Sequence, residues 1–275
     1  MKQRPSFPAK LDDTLAKNRP NTVGKVVTTQ MKPVAHLAPG AAAVRAKPGT
    51  VAAVPHGHGM ESGAVRARMV QKLAAQGISD AQVLAAMGAI ERHRFVDSAL
   101  INQAYEDTSL PIGLGQTISK PGVVSRMLEL LRNCQSGKLG RVLEIGTGCG
   151  YQAAVLSLLT TEVYSIERLR GLHDKARENL RHLRLANLHL LFGDGMDGYA
   201  KGAPYAAIIA AAGGEAVPQA WVDQLAMGGR LVAPVVTVGA AGGAQALLVL
   251  DKTPQGVRQT VLEAVHFVPL KSGVA

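Results

Sequence analysis

Apolar residues recur three and four positions apart between residues 65 and 131, and this spacing predicts three short helices. Their stripes are Val65, Met69 and Leu73, then Val83, Met87 and Ile90, then Val124, Met127, Leu128 and Leu131. Gly77 stops the first helix, Ser79 and Gln82 predict a capping box at the second, and Pro121 opens the third. Residues 105–120 are predicted to be loop.

Beyond residue 140 the pattern changes to short apolar runs that alternate with helical stripes. Seven runs predict strands, at residues 141–145, 162–166, 187–192, 205–211, 230–235, 246–250 and 260–268. Helical stripes fall at residues 151–159, 172–183 and 218–225. Helices are therefore expected to link the first five strands, and the last two strands to pair antiparallel. This order predicts the α/β fold class, as a doubly wound, mostly parallel seven-stranded sheet with helical N-terminal additions.

Composition places the chain among globular proteins. Hydrophobic residues make up 47% and charged residues 18% of its 275 residues, which excludes wholesale disorder. No apolar run approaches the ~18 residues of a membrane span, and no secretory signal follows the basic N-terminus. Cys134 and Cys149 are too few for a disulfide framework or a metal site. We therefore predict a cytoplasmic protein with no metal and no membrane contact.

The charge is concentrated in the first sixty residues. They hold nine Lys and Arg against two Asp, a net +7 of the chain's +10, together with seven of the 14 prolines. We predict that residues 1–60 form a disordered basic tail and that residues 61–275 form the folded domain. A solvated extension is the favoured interpretation of the tail, and weak adhesion to nucleic acid is the alternative.

A glycine-rich turn follows the first predicted strand and precedes a predicted helix. Residues 146–150 read Gly-Thr-Gly-Cys-Gly, a G-x-G-x-G spacing rather than the G-x-G-x-x-G that seats a pyrophosphate. Glycines let a backbone approach a ligand closely. An acidic residue, Glu144, lies just before this turn. The turn is therefore a candidate cofactor site.

Two further carboxylates follow the next two predicted strands, Glu167 after the second and Asp194, in a Gly-Asp-Gly turn, after the third. At the shared edge of a parallel sheet, Glu167 could bond both ribose hydroxyls and Asp194 an adenine amino group. Three carboxylates without a phosphate-binding lysine favour S-adenosylmethionine over NAD. Taken singly, Glu167 could instead pair with Arg168 or Arg170, and Asp194 could be a turn former.

Six segments together resemble the protein-L-isoaspartate O-methyltransferase family, at residues 94–97, 110–121, 142–152, 165–168, 193–195 and 267–270. The resemblance runs from about Val65 to Ala275, and the Gln-Thr-Ile-Ser segment at residues 116–119 is its most specific part. It implies a class I methyltransferase of Rossmann-like fold. Such an enzyme methylates the α-carboxylate of L-isoaspartyl residues in damaged proteins and releases S-adenosylhomocysteine, and the ester then collapses to a succinimide on the way back to aspartate.

The resemblance also implies roles for individual residues. Ser119 matches the family's active-site serine, although helix capping before Pro121 is an alternative that could coexist. The acceptor loop comprises Gln116, Thr117 and Ile118. The predicted cofactor-binding residues are Glu144, Gly146, Thr147, Gly148, Gly150, Glu167, Asp194 and Gly195.

The chain departs from the family pattern at Ala206, where the family usually has Asp, and at Gly213 and Gly214, where it tends to have Pro-Pro. We expect the two glycines to loosen their loop. We predict isoaspartyl proteins as partners and a monomeric state. A same-fold methyltransferase for another carboxylate, and a non-enzymatic nucleic-acid-binding protein, are the alternative functions.

Overall fold

The computed structural model describes residues 63–237 and 244–275, so the predicted tail, residues 1–60, lies outside the described residues. The helices are α1 Gly63–Ala75, α2 Ala81–Ala89, α3 Pro121–Arg132, α4 Tyr151–Leu159, α5 Arg170–Leu180 and α6 Gln219–Gln224. The strands are β1 Leu110–Gly113, β2 Gln116–Ile118, β3 Leu139–Ile145, β4 Thr160–Glu167, β5 Leu188–Phe192, β6 Tyr205–Ala210, β7 Leu225–Val236, β8 Gln245–Thr253 and β9 Gly256–Val265.

The predicted fold class is confirmed by a seven-stranded sheet in the order β5-β4-β3-β6-β7-β8-β9. The strands from β5 to β7 pair in parallel, and β8 and β9 continue the sheet antiparallel. The chain leaves β3 toward β4 and β5 and then returns to β6 on the other side. That reversal opens a crevice at the carboxyl ends of these strands.

Neighbouring residues of the central strands are buried on opposite faces of the sheet. Val142 belongs to a core cluster with α1 to α5, whereas its neighbour Leu143 packs on the other face with Trp221 of α6. Both faces are covered, which explains why β6 is a continuous apolar run. The sheet is therefore a rigid base for the loops at its carboxyl edge.

Three predicted elements differ in the structure. Residues 105–120 are not simply loop, because β1 and β2 form a hairpin within them. No α-helix links β5 to β6, since the connection contains only the 3₁₀ turns Gly195–Asp197 and Ala200–Gly202. The helix expected over 218–225 is shortened to α6, because β7 already begins at Leu225.

The predicted capping box is wrong in its residues. Asp80, not Ser79, is the N-cap of α2, and its carboxylate accepts from the backbone N–H groups of Gln82 and Val83. Ser79 instead donates its hydroxyl to Glu129 of α3 over 3.0 Å. A tertiary contact has thus replaced the local one.

Candidate active site

A cavity of about 470 Å³ opens at the carboxyl ends of β3 and β4. Its volume is that of a typical small-molecule site. It brings together nine of the predicted site residues, Gln116, Thr117, Ile118, Ser119, Gly146, Thr147, Gly148, Glu167 and Gly195. The structure does not place the other three, Glu144, Gly150 and Asp194, on the cavity wall.

The glycine turn between β3 and α4 depends on backbone conformations that favour glycine. Gly146, Gly148 and Gly150 have φ values of 90°, 56° and 92°. A Cβ at Gly150 would also lie 2.7 Å from the side chain of Leu180. Gly150 therefore shapes the turn and its packing on α5, whereas Gly146 and Gly148 face the cavity.

Glu167 holds the turn from the neighbouring strand. Its carboxylate accepts from the Gly148 N–H and from the Leu169 N–H, each over 2.9 Å, and the residue is only 5% exposed. The two arginines that could have paired with it are engaged elsewhere. Arg168 donates to the Gly273 carbonyl, and the Arg170 guanidinium lies 3.6 Å from the Phe192 ring centroid. Glu167 can therefore face a ligand, because each carboxylate oxygen accepts a second bond.

Glu144 lies beneath the cavity rather than on its wall. It is fully buried and accepts from the Ser165 hydroxyl, which is 2.6 Å from the Thr147 hydroxyl at the cavity. Burial raises the pKa of Glu144 to about 8, against the lowering effects of Ser165 and Gln152. Among the described residues, Glu144 Oε1 and Gln152 Nε2 nevertheless lack a partner with hydrogen-bond geometry.

This burial predicts a pH-dependent stability. The pKa of Glu144 is higher in the folded protein (about 8) than its ordinary value of 4.5, so the folded state binds the proton more tightly and stability falls as the pH rises between those values. The free energy of unfolding of Glu144→Gln should therefore exceed that of the native chain by at least ~1 kcal/mol at pH 8, because one pKa unit is worth ~1.4 kcal/mol. Urea unfolding at pH 5 and pH 8 measures this. The stability difference between Glu144→Gln and the native chain should shrink at pH 5. The control Glu178→Gln, at an exposed position on α5, should show no such difference. A difference that does not depend on pH would contradict the raised pKa of Glu144.

Asp194 anchors the end of the chain. One oxygen accepts from the Met196 N–H over 2.8 Å, and the other accepts from the Gly273 N–H. Residues 268–271 line the cavity, and the Ala275 backbone pairs with Arg168 and Arg170 beside Glu167. This C-terminal segment, residues 268–275, thus crosses the carboxyl edge of the sheet and closes one side of the cavity.

Deleting residues 272–275 removes four hydrogen bonds, which join Gly273 and Ala275 to Asp194, Arg168 and Arg170. Because these bonds hold a wall of the cavity, the deletion should weaken binding of S-adenosylhomocysteine at least about 3- to 10-fold. Asp194→Ala should weaken it similarly. Isothermal titration on both variants measures the two effects. If the deletion leaves affinity unchanged while Asp194→Ala lowers it, Asp194 acts directly on the adenine, as the sequence predicts, and not through the C-terminal segment.

The two departures from the family pattern in the loop after β6 are well ordered by hydrogen bonds, contrary to the expected loosening. Gly213 donates to the Val268 carbonyl and accepts from the Leu270 N–H, both over 2.8 Å. Gly214 bonds Pro234 and Val236 of β7. A Cβ at Gly213 would lie 2.5 Å from the Gln245 amide, so a larger residue here would displace that side chain from its hydrogen bonds to the Phe267 backbone.

Ser119 lies between two cavities. It lines the 470 Å³ cavity and also a neighbouring cavity of about 450 Å³ bounded by Lys120, Val123 and residues 264–267. Lys120, not Ser119, occupies the N-cap position of α3, and no side chain caps that helix. The capping alternative for Ser119 is therefore wrong. Its hydroxyl forms no hydrogen bond to another described residue.

The sequence patterns missed three contributors to the site. Leu114 sits at the tip of the β1–β2 hairpin over the cavity, and the hairpin is tied to α5 by a 2.8 Å bond from Lys175 Nζ to the Ile112 carbonyl. The second is the segment at residues 268–271, of which residues 268–270 carried a family resemblance but no predicted role. The third is Arg92, whose charged surroundings in the sequence (Glu-Arg-His-Arg) suggest surface.

The described residues contain neither a cluster of metal-ligating side chains nor a helix that could span a membrane. Residues 63–237 and 244–275 contain no cluster of three or more His, Cys, Asp or Glu side chains arranged to hold a metal ion. None of the described helices combines the length and hydropathy that a membrane span needs.

The parallel strand order, the glycine turn after β3 and the carboxylate that ends β4 define a class I methyltransferase. The chain belongs to the protein-L-isoaspartate(D-aspartate) O-methyltransferase family, whose model matches residues 64–275. It is 61% identical over 80% of its length to the protein-L-isoaspartate O-methyltransferase of Methylibium petroleiphilum, covering 81% of that protein. The corresponding Leptothrix cholodnii enzyme is 60% identical, with 81% of this chain and 79% of the relative covered.

Solved structures agree with this fold. A protein-L-isoaspartate O-methyltransferase structure superposes with a TM-score of 0.68 at 27% identity, over 76% of this chain and 67% of its own. A Plasmodium falciparum structure in complex with S-adenosyl-L-homocysteine has a TM-score of 0.64 at 23% identity, over 75% of this chain and 98% of its own. The latter likeness concerns the fold alone.

Proposed function

We propose that this protein transfers the methyl group of S-adenosylmethionine to the α-carboxylate of L-isoaspartyl residues in damaged proteins. The main support for this proposal is the position of Ser119, which lies between a cavity suited to the cofactor and a second cavity open to an acceptor. Family membership and relatives of 60% and 61% identity support the same activity.

The first cavity suits an adenosyl group without phosphates. Apolar side chains such as Ile166 and Leu172 form part of its wall, and Glu167 supplies a carboxylate at the end of β4. Two basic residues lie on its wall: Arg168 is bonded to the Gly273 carbonyl, and Lys271 belongs to the C-terminal segment that closes one side. Gly146, Thr147, Gly148 and Gly195 would hold the cofactor beside Glu167, and Glu144 would support Thr147 from below through Ser165.

The residues then need only align the reactants. S-adenosylmethionine supplies an electrophilic methyl group and leaves as S-adenosylhomocysteine. The acceptor carboxylate is already ionised at pH 7, so one of its oxygens can form the new C–O bond without a general base. The Ser119 hydroxyl would hold the other oxygen, and the hairpin would exclude water.

Methyl transfer to an isoaspartyl peptide tests this proposal, with the same peptide carrying ordinary aspartate as its control. Radiolabelled methyl transfer only to the isoaspartyl peptide is the expected result. Transfer to small carboxylic acids but not to the peptide would favour the same-fold alternative. No transfer, together with a salt-dependent gel shift on nucleic acid, would favour the binding protein.

Our proposal includes a cytoplasmic location and a monomer. Cys134 and Cys149 are both free thiols, which suits a reducing compartment. Light scattering at a mass near 28.8 kDa would support the monomer, and twice that mass would exclude it.

Removing residues 1–60 should leave methyl transfer within about two-fold and the melting temperature within about 2 °C, because the segment has too little apolar sequence to add a core. The family match, which begins at residue 64, supports this division. Differential scanning calorimetry and peptide kinetics on the truncated chain measure both quantities. A fall of many degrees would show that the segment packs on the domain.

A further inference from the structure

Arg92 is a fully buried arginine directly behind the acceptor loop. Its Nε donates to the Ala104 carbonyl and its Nη2 to the Ser119 carbonyl, each over 2.8 Å. Its guanidinium carbon lies 4.9 Å from the ring centroid of Tyr151, which lines the cofactor cavity. The Arg92 side chain therefore contacts both the backbone of Ser119 and a residue on the wall of the cofactor cavity.

Hydrogen bonds to backbone carbonyls, rather than an ion pair, hold this cation among the described residues. Among the described residues Arg92 forms no ion pair, and its Nη1 has no hydrogen-bond partner. Asp107 favours the charged form of Arg92 but accepts no hydrogen bond from it and instead accepts from the Gly122 N–H over 2.7 Å. Burial raises the pKa of Tyr151 to about 12 and raises the pKa of Cys149, so both neighbours are neutral at pH 7.

An uncompensated buried charge is expensive, and arginine does not escape the cost by losing its proton. By contrast, Arg132 is equally buried but is paired with Asp80 over 2.7 Å and bonds the Gly137 and Gln135 carbonyls. The difference suggests that the partner of Arg92 arrives from outside. Ser119 is where an acceptor carboxylate would sit.

We propose that Arg92 is a positioning residue that supplies the countercharge for the acceptor carboxylate held at Ser119, and so selects carboxylates over uncharged amides. This inference rests on the proposed function. The carboxylate loses its negative charge as it takes the methyl group, so the attraction is stronger before transfer than during it. Arg92 should therefore lower the KM for the peptide and should not raise kcat.

Two substitutions separate charge from packing. Arg92→Gln removes the charge but keeps a donor toward the backbone carbonyls, and Arg92→Lys keeps the charge. Arg92→Gln should raise the KM for an isoaspartyl peptide about ten-fold with kcat unchanged or higher, and Arg92→Lys should restore KM to within about three-fold of the native value. Arg132→Gln, the matched control, should lower the melting temperature without changing KM.

A binding measurement on the native protein keeps the test independent of variant folding. With S-adenosylhomocysteine present, the isoaspartyl peptide should bind about ten-fold tighter than its uncharged isoasparaginyl counterpart. Equal affinity for the two peptides, or equal KM values for the native, Gln and Lys proteins, would overturn the role of Arg92. Because the KM comparison requires a native enzyme that methylates the isoaspartyl peptide, failure of the proposed function would be recognised first, as absent turnover, whereas the binding measurement needs no turnover.

Discussion

Replacing Ser119 by alanine is expected to lower kcat/KM for an isoaspartyl peptide by about 10- to 100-fold, the effect of losing a hydrogen bond to a charged group. The affinity for S-adenosylhomocysteine should stay within about two-fold, since Ser119 lies at the boundary with the second cavity and outside the glycine turn at residues 146–150. Its hydroxyl has no other described partner, so the substitution removes only a bond to the acceptor. Steady-state kinetics and isothermal titration on one preparation measure both quantities.

Ser125→Ala provides the matched control. Ser125 is a fully buried serine on α3 whose hydroxyl donates to the Gly122 carbonyl over 3.0 Å, and it lines neither cavity. Its loss should lower stability slightly and leave kcat/KM unchanged. If Ser119→Ala behaves like this control, with native turnover, then Ser119 does not orient the acceptor.

Glu167→Ala is expected to weaken S-adenosylmethionine binding by roughly 1.5–3 kcal/mol, about 10- to 150-fold in Kd. Two causes act together. The carboxylate would no longer accept from the ribose hydroxyls, and the Gly148 and Leu169 N–H groups would lose the acceptor that holds them in place. Titration calorimetry on the folded variant measures the loss.

Two variants resolve these causes. Glu162→Ala removes a carboxylate at the opposite end of β4, which pairs with Arg141 over 2.6 Å, and it should not change cofactor affinity. Glu167→Gln keeps a neutral acceptor for the two N–H groups and should show an intermediate Kd. Native affinity in a folded Glu167→Ala protein would rule out a role for this carboxylate in the cofactor site.

Elements with a strong local period were predictable. Strand β3 is an apolar run followed at once by glycine, and α3 combines a proline at its first position with a stripe at Val124, Met127 and Leu128. Burial of a strand or of a helix face leaves such a period whatever the partner is. The β1–β2 hairpin lacked such a period, because only three residues of each strand pair.

In the candidate site, too, only features with a local sequence signal were predictable. The sequence by itself determined the glycine turn and Glu167, because a strand followed by a turn brings these residues to the carboxyl edge of any parallel sheet. Family resemblance also predicted an acceptor role for residues 116–119. Each of these features is encoded within a few residues of the chain.

Only the tertiary structure decided what the remaining charged groups contact. Asp194 bonds Gly273, 79 positions away, and Arg92 reaches the Ser119 carbonyl 27 positions away. Glu144 reaches Ser165 from the adjacent strand and is buried rather than exposed to the cavity. A hydrogen bond between distant segments leaves no periodicity in either one, and burial depends on all the elements that pack around a group, so neither can be derived from local sequence.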